Sequence, residues 1–147
     1  MGIWMEFDDF IRRNDVRKVE KNKRLAGDLV ATAKKDMMFL DSLDINKNSA
    51  RKIFSGYYDV LRSVLEAIAI LNGYKIYLHE AFSYFLKKIG KEKIGFKFDR
   101  FRRKRNRINY YGEEIDVDEA RQEVNEMKEL VNLLIKEYFE ENKKWQK

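Results

Sequence analysis

The 147-residue sequence has no cysteine, no proline and a single histidine, and these shortages limit the kinds of site and fold that it can form. Without cysteine the chain has neither disulfides nor thiolate ligands, and one histidine, His79, excludes multi-histidine metal sites. No glycine-rich phosphate-binding loop is present, so we expect no metal and no cofactor. Because proline interrupts helices and average usage is about 5%, its absence leaves long helices possible.

The sequence also lacks a long apolar run. The longest apolar stretch, around VLEAIAILNGY, is too short and too interrupted to span a bilayer. The start, MGIWMEFDDFIRRND, reaches acids too early for a signal peptide. We therefore expect a cytoplasmic protein with no membrane contact. Abundant lysine, glutamate and isoleucine with little glutamine are typical of thermophilic, archaeal-type proteins.

Charge is distributed unevenly along the chain, whose formal net charge is only +6. Residues 100–107 carry six cations and no acid, whereas residues 113–129 carry eight acids and two cations. The six cations are Arg100, Arg102, Arg103, Lys104, Arg105 and Arg107. This basic run is the strongest local signal in the sequence, and its positive charge requires a negatively charged partner.

Apolar residues recur at helical spacing through most of the chain. A seam from Val117 to Tyr138 predicts a long last helix that opens after GEEID and ends in KKWQK. A wider stripe over residues 50–71 predicts a central core helix that stops at Asn72-Gly73. Further helices are predicted at residues 7–11, from about 16 to 43, in HEAFSYFLKKIGKEK up to Gly90, and from about 96 to 111.

These elements predict an all-α fold, an antiparallel bundle of four to five helices in one domain over residues 1–147. The apolar fraction of 44% with 14% aromatics is typical of a globular chain. No strand-like alternation and no internal repeat are visible, so no sheet and no domain boundary are expected.

One cation of the basic helix, Arg105, lies on its apolar stripe of Ile94, Phe98, Phe101 and Ile108. A buried guanidinium needs a partner, since breaking a buried ion pair costs about 3 to 5 kcal/mol. Three partners are conceivable at this stage. They are an acid of the core helix such as Glu66 or Asp59, a second copy of the chain, or the phosphate of a ligand.

The basic run itself has two interpretations. It is a solvated face paired with the acidic half of the last helix, where exposed ion pairs contribute about 0 to 1 kcal/mol each. Alternatively it binds RNA, because guanidinium groups suit phosphates. The cations Arg100, Arg102, Arg103, Lys104 and Arg107 would then contact the backbone, and Tyr110, Tyr111 and Phe101 would stack on unpaired bases.

The segment RKRNRINYYG, which follows YYDVLRSVLEAIAILNGYKIYLHEAFSYFL, resembles the HEPN family of prokaryotic helical domains over roughly residues 25–135. The resemblance implies a helical homodimer. It also implies a toxin-type, metal-independent ribonuclease, often encoded beside a nucleotidyltransferase antitoxin. The family motif is an arginine, a polar residue and a histidine four to six residues after the arginine. Arg105 and Asn106 match the first two, and Tyr110 stands where the histidine would be, so these three are the catalytic candidates.

Cleavage by a neighbouring 2′-hydroxyl needs a cation on the phosphate and an acid or base with a pKa near neutral. Arg105 supplies the cation, but a tyrosine with a reference pKa near 10 is a poor base at neutral pH. His79 is interpreted as a capping or packing residue. The leading hypothesis is an RNA-binding HEPN-like dimer, with cleavage left open. The alternative is a non-catalytic module that pairs with itself or with a nucleotidyltransferase, and a small-nucleotide binder is a third possibility.

Overall fold

The order of elements along the chain confirms the all-α prediction, with one small addition. A computed structural model describes residues 5–141, and its elements are α1 (Phe7–Arg12), β1 (Val16–Lys18), α2 (Lys23–Asp41), α3 (Ala50–Leu71), β2 (Tyr74–Ile76), α4 (Ala81–Lys88), α5 (Glu92–Tyr111) and α6 (Val117–Ile135). A π-helical segment, Lys136–Glu141, continues α6. No described helix is long and apolar enough to cross a membrane.

Helix α3 is the centre of the core, as its wide apolar stripe predicts. Fourteen of its residues are buried, and it packs mainly against α2 and α6. It ends where expected, because Gly73 adopts a left-handed φ of 86° directly after the Asn72 cap. The remaining helices are thereby arranged around one continuous hydrophobic cluster.

The predicted helix over residues 16–43 is wrong at its beginning, and so is the expectation of no sheet. Val16–Lys18 pairs with Tyr74–Ile76 as an antiparallel two-stranded sheet, with Val16 opposite Ile76. Both of these side chains are buried, so the sheet has one inner and one outer face. Helix α2 begins only at Lys23, where the Asn22 side chain accepts a hydrogen bond from the Leu25 amide.

Helix α5, the basic helix, begins at Glu92 rather than near residue 96 and ends at Gly112, whose φ is 68°. It packs closely on α4, since a Cβ at Gly95 would lie 2.8 Å from the Ser83 carbonyl oxygen. The stripe predicted to face inward is largely buried, although Arg105 and Ile94 are only partly so. The side of α5 opposite this stripe is exposed.

Helix α6 confirms the last predicted helix, with its buried seam against α3. The regular α-helix stops at Ile135 and the π-helical turns carry the chain to Glu141. The predicted end in KKWQK lies outside the described residues.

Candidate functional site

Five of the six cations of the basic run are held by carboxylates. Three of them reach acids of α6 or of the turn before it, which is the pairing that the solvated-face interpretation predicts. These pairs are Arg100 with Glu123 and Glu126, Lys104 with Glu119, and Arg107 with Glu113. Within α5, Asp99 pairs with both Arg102 and Arg103. Most of the run is therefore partly neutralised inside the molecule.

Arg105, the sixth cation of the run, is not neutralised in this way. Among residues 5–141 it has no carboxylate within ion-pair distance, and its Nε is buried without a hydrogen-bond partner. Within the described part of the chain, its polar contact is a long hydrogen bond, 3.5 Å, from Nη1 to Oδ1 of Asn106. A buried donor without a partner costs about 1 to 3 kcal/mol, so this arginine is held in place at some expense of stability.

Two tyrosine rings hold the Arg105 guanidinium. Its Cζ lies 5.4 Å from the ring centroid of Tyr58 on α3 and 5.8 Å from that of Tyr110 on α5. Tyr58 is fully buried and stacks on Phe98, whereas Tyr110 is 69% exposed. Cation–π contacts of this kind contribute about 0.5 to 1 kcal/mol each at exposed sites. The rings orient the guanidinium without neutralising its charge.

The acid partners considered for Arg105 are engaged elsewhere or do not contact it. Glu66 receives both Arg62 and Lys75, so its charge is already shared by two cations. Asp59 is exposed and forms no contact with Arg105. Of the three partners that the sequence allows, the core-helix acid is therefore excluded, and a second copy and a phosphate remain.

His79 lies in the connection before α4, not in a helical first turn as expected. Its Nδ1 is 3.0 Å from the Tyr58 hydroxyl oxygen, which fixes the imidazole beside the Arg105 site. Burial lowers the pKa of His79 to about 4, and the positive charges of Arg62 and Arg105 act in the same direction. His79 is therefore neutral at pH 7, and its hydrogen bond and packing against Phe82 agree with a structural role.

The phenol of Tyr58 completes this group. Burial raises the pKa of Tyr58 well above its usual value, although Arg105, Arg62 and Arg102 oppose the shift. Three arginines from two helices thus act electrostatically on one tyrosine–histidine pair. Sequence reasoning missed Tyr58 as a site residue, because the YY pair at 57–58 has the spacing of ordinary core residues.

The other predicted site residues do not all lie beside Arg105. Asn106 contacts Arg105 directly, and Tyr111 at the end of α5 is 82% exposed. Arg102 is partly buried on the Tyr58 side of α5, whereas Arg100, Arg103 and Arg107 face solvent. The arrangement brings together Arg105, Asn106 and Tyr110, and it separates them from the three exposed arginines.

Chemically, the site offers a positive charge without a counter-ion, two aromatic rings and a neutral imidazole. It suits an anion with a flat group attached, such as a nucleotide. Among the described residues no cluster of three or more His, Asp or Glu could hold a metal ion. Comparisons with protein-family models, curated proteins and solved structures found no match to this chain.

Proposed function

We propose that this chain is a HEPN-like helical protein that binds RNA, with the Arg105 guanidinium contacting a backbone phosphate. The observation that carries the proposal is the state of Arg105, which is oriented by Tyr58 and Tyr110 and has no carboxylate partner in the described chain. An arginine fork matches phosphate geometry and forms charge-assisted hydrogen bonds with it.

The surroundings of Arg105 add to its positive charge. Glu66 is shared by Arg62 and Lys75, and Asp99 is shared by Arg102 and Arg103, so each group of three retains one excess positive charge. Together with Arg105 these groups favour an anion beside α3 and α5. The ion pairs of Arg100, Lys104 and Arg107 make the rest of the helix a weaker site than the six cations alone suggest.

Exposed aromatic rings at the end of α5, with Tyr110 beside Arg105, fit the bases of an unpaired strand. Tyr110 and Tyr111 are 69% and 82% exposed at the end of α5. Stacking of one base on an aromatic side chain contributes about 1 to 3 kcal/mol and is tolerant of sequence. We therefore propose single-stranded RNA, bound with little base preference.

Binding is favoured over cleavage. A general acid or base works best with a pKa near the operating pH. The pKa of His79 is lowered to about 4, and the pKa of Tyr58 is raised, so neither group is tuned for proton transfer at pH 7. Arg105, Asn106 and Tyr110 are accordingly proposed as a phosphate-binding group.

We propose in addition a cytoplasmic homodimer with α5 at the interface. Phe96, which is 68% exposed near the start of α5 and is not used by the RNA site, supports a partner at that end of the helix. The same observation favours the second candidate, a non-catalytic module whose partner is another copy or a nucleotidyltransferase-type antitoxin.

The test is binding of a fluorescent single-stranded RNA in the presence of a chelator, which removes metal-dependent nucleases. Arg105→Gln should weaken binding at least about tenfold, because a hydrogen bond to a charged group contributes about 1.5 to 3 kcal/mol. It should also lower the slope of log affinity against log salt by about 0.7. Arg107→Gln is the matched control, since Arg107 is an exposed cation of the same helix that is paired with Glu113.

We expect Arg107→Gln to change affinity by less than about threefold, and the RNA to stay intact throughout. Equal affinities of the wild type and Arg105→Gln would contradict the proposal. Cleavage that disappears in Arg105→Gln would restore the ribonuclease assignment. No RNA binding by the wild type would leave the interaction module as the better account.

A further inference from the structure

The two-stranded sheet has an outer face of which the proposed function uses only the charge of Lys75. Val16 and Ile76 point into the core, so their strand neighbours Arg17 and Lys75 point outward. Tyr77 lies two residues after Lys75 and therefore on the same side, and it is 55% exposed. This outer face is defined by Arg17, Lys75 and Tyr77.

Two cations meet one aromatic ring on this face. The Arg17 Cζ lies 5.6 Å and the Lys75 Nζ 5.9 Å from the Tyr77 ring centroid. Arg17 and Lys75 are directly opposite each other in the antiparallel ladder. Like charges at directly opposite positions destabilise a sheet, so a bound anion would relieve an existing repulsion.

Carboxylates do not remove this repulsion. Within residues 5–141, Arg17 has no acid at ion-pair distance, and Lys75 shares Glu66 with Arg62. A single exposed tyrosine is ordinary on a protein surface. Here, however, the tyrosine lies near two opposed cations, and the nearby carboxylate is already shared by two partners. This face suits a nucleotide, whose phosphate would contact the cations and whose base would stack on the ring.

The outer face is connected to the Arg105 site along α3. Tyr58, Arg62 and Glu66 are spaced by four residues and lie on one side of that helix. Tyr58 contacts Arg105, and Glu66 contacts Lys75. The helical rise between Tyr58 and Glu66 is about 12 Å, and Arg62 stands midway between them. A cation, Arg62, therefore lies between the Arg105 site and the sheet, and the group of Arg62, Glu66 and Lys75 retains one excess positive charge.

We propose that the outer face of the sheet is a second RNA-binding subsite, in which Arg17 and Lys75 contact a phosphate and Tyr77 stacks on a base of the strand bound at Arg105. The inference rests on the proposed function, because the Arg105 site supplies the first contact. It extends that function by giving the bound strand a path over the protein surface, from α5 across α3 to the sheet.

The experiment compares a dinucleotide, too short to reach both subsites, with a single-stranded octanucleotide. For the octanucleotide, Tyr77→Ala should weaken binding about 5- to 160-fold, the range of one base–aromatic stack, and Tyr77→Phe should retain it. Arg17→Gln should lower the salt slope of octanucleotide binding by about 0.7. None of these variants should alter dinucleotide binding.

Matched controls come from α2, where Phe39 is 65% exposed and Lys35 is also exposed. Phe39→Ala and Lys35→Gln should leave octanucleotide binding unchanged. The inference is overturned if Tyr77→Ala and Arg17→Gln bind the octanucleotide as the wild type does while Arg105→Gln does not; the Arg105 site then stands alone. If the wild type binds neither RNA, the proposed function and the inference fail together.

Discussion

The stability of the Arg105→Met variant shows whether Arg105 serves a function or stabilises the fold. Methionine has a similar length and fills irregular apolar space well. The change removes a buried Nε without a partner, a gain of about 1 to 3 kcal/mol in the free energy of unfolding. It also removes two cation–π contacts, a loss of about 0.5 to 1 kcal/mol for exposed Tyr110 and about 2 kcal/mol for buried Tyr58. The net change should lie between about −2 and +0.5 kcal/mol.

Replacing an arginine that stabilises the fold through a buried ion pair should lower stability much more. Removing one partner of a buried ion pair lowers the free energy of unfolding by about 3 to 5 kcal/mol. The assay is urea unfolding at pH 7, followed by circular dichroism. Arg102→Met is the matched control, because the Arg102 Nε donates to Asp99 at 2.8 Å in a largely buried pair.

Because Asp99 keeps its pair with Arg103, we expect Arg102→Met to lose only about 1.5 to 3 kcal/mol of stability, the contribution of a hydrogen bond to a charged group, and Arg105→Met to lose less. A loss of 3 kcal/mol or more in Arg105→Met would refute the reasoning, because it would mean that Arg105 has a stabilising partner in solution. A second copy of the chain is the partner that such a result would indicate.

Two further predictions concern the surroundings of the site. Because the pKa of His79 is about 4 in the folded chain and 6.5 is its ordinary value, the unfolded state binds the proton first as the pH falls. The wild type should lose about 2 kcal/mol of stability between pH 7 and pH 5 relative to His79→Asn, which does not titrate, as measured by urea unfolding; parallel pH curves would contradict the assigned pKa. Gly95→Ala should lower stability by about 1 to 3 kcal/mol through its clash with the Ser83 carbonyl, whereas Gly27→Ala, with open space around it, should raise stability by up to about 1 kcal/mol. Thermal unfolding of both variants checks the contrast, and equal melting temperatures would count against the close packing of α4 on α5.

The helices could be predicted from sequence because periodicity is a local signal. The stripe of α3 and the seam of α6 are long, and α3 ends at Asn72-Gly73 as the sequence predicts. The strands could not be predicted in this way. Val16–Lys18 is stabilised by Tyr74–Ile76, more than fifty residues away, and a three-residue strand has too little alternation to show.

The candidate site likewise combines local features, which the sequence predicts, with long-range contacts, which it does not. The position of Arg105 on an apolar stripe is a local property, so its need for a partner was visible in the sequence. The carboxylates that neutralise the other five cations were predicted in part, through the acidic half of α6. The contact of His79 with Tyr58 depends on how β2 returns the chain along α3, and no local pattern carries it.

The most direct test of the account is the affinity of Arg105→Met for single-stranded RNA, measured where the variant is fully folded. The account predicts retained stability together with an affinity at least about tenfold below that of the wild type. An unchanged affinity would contradict it, since the phosphate would then be bound without the one cation of the basic run that has no carboxylate partner in the described chain.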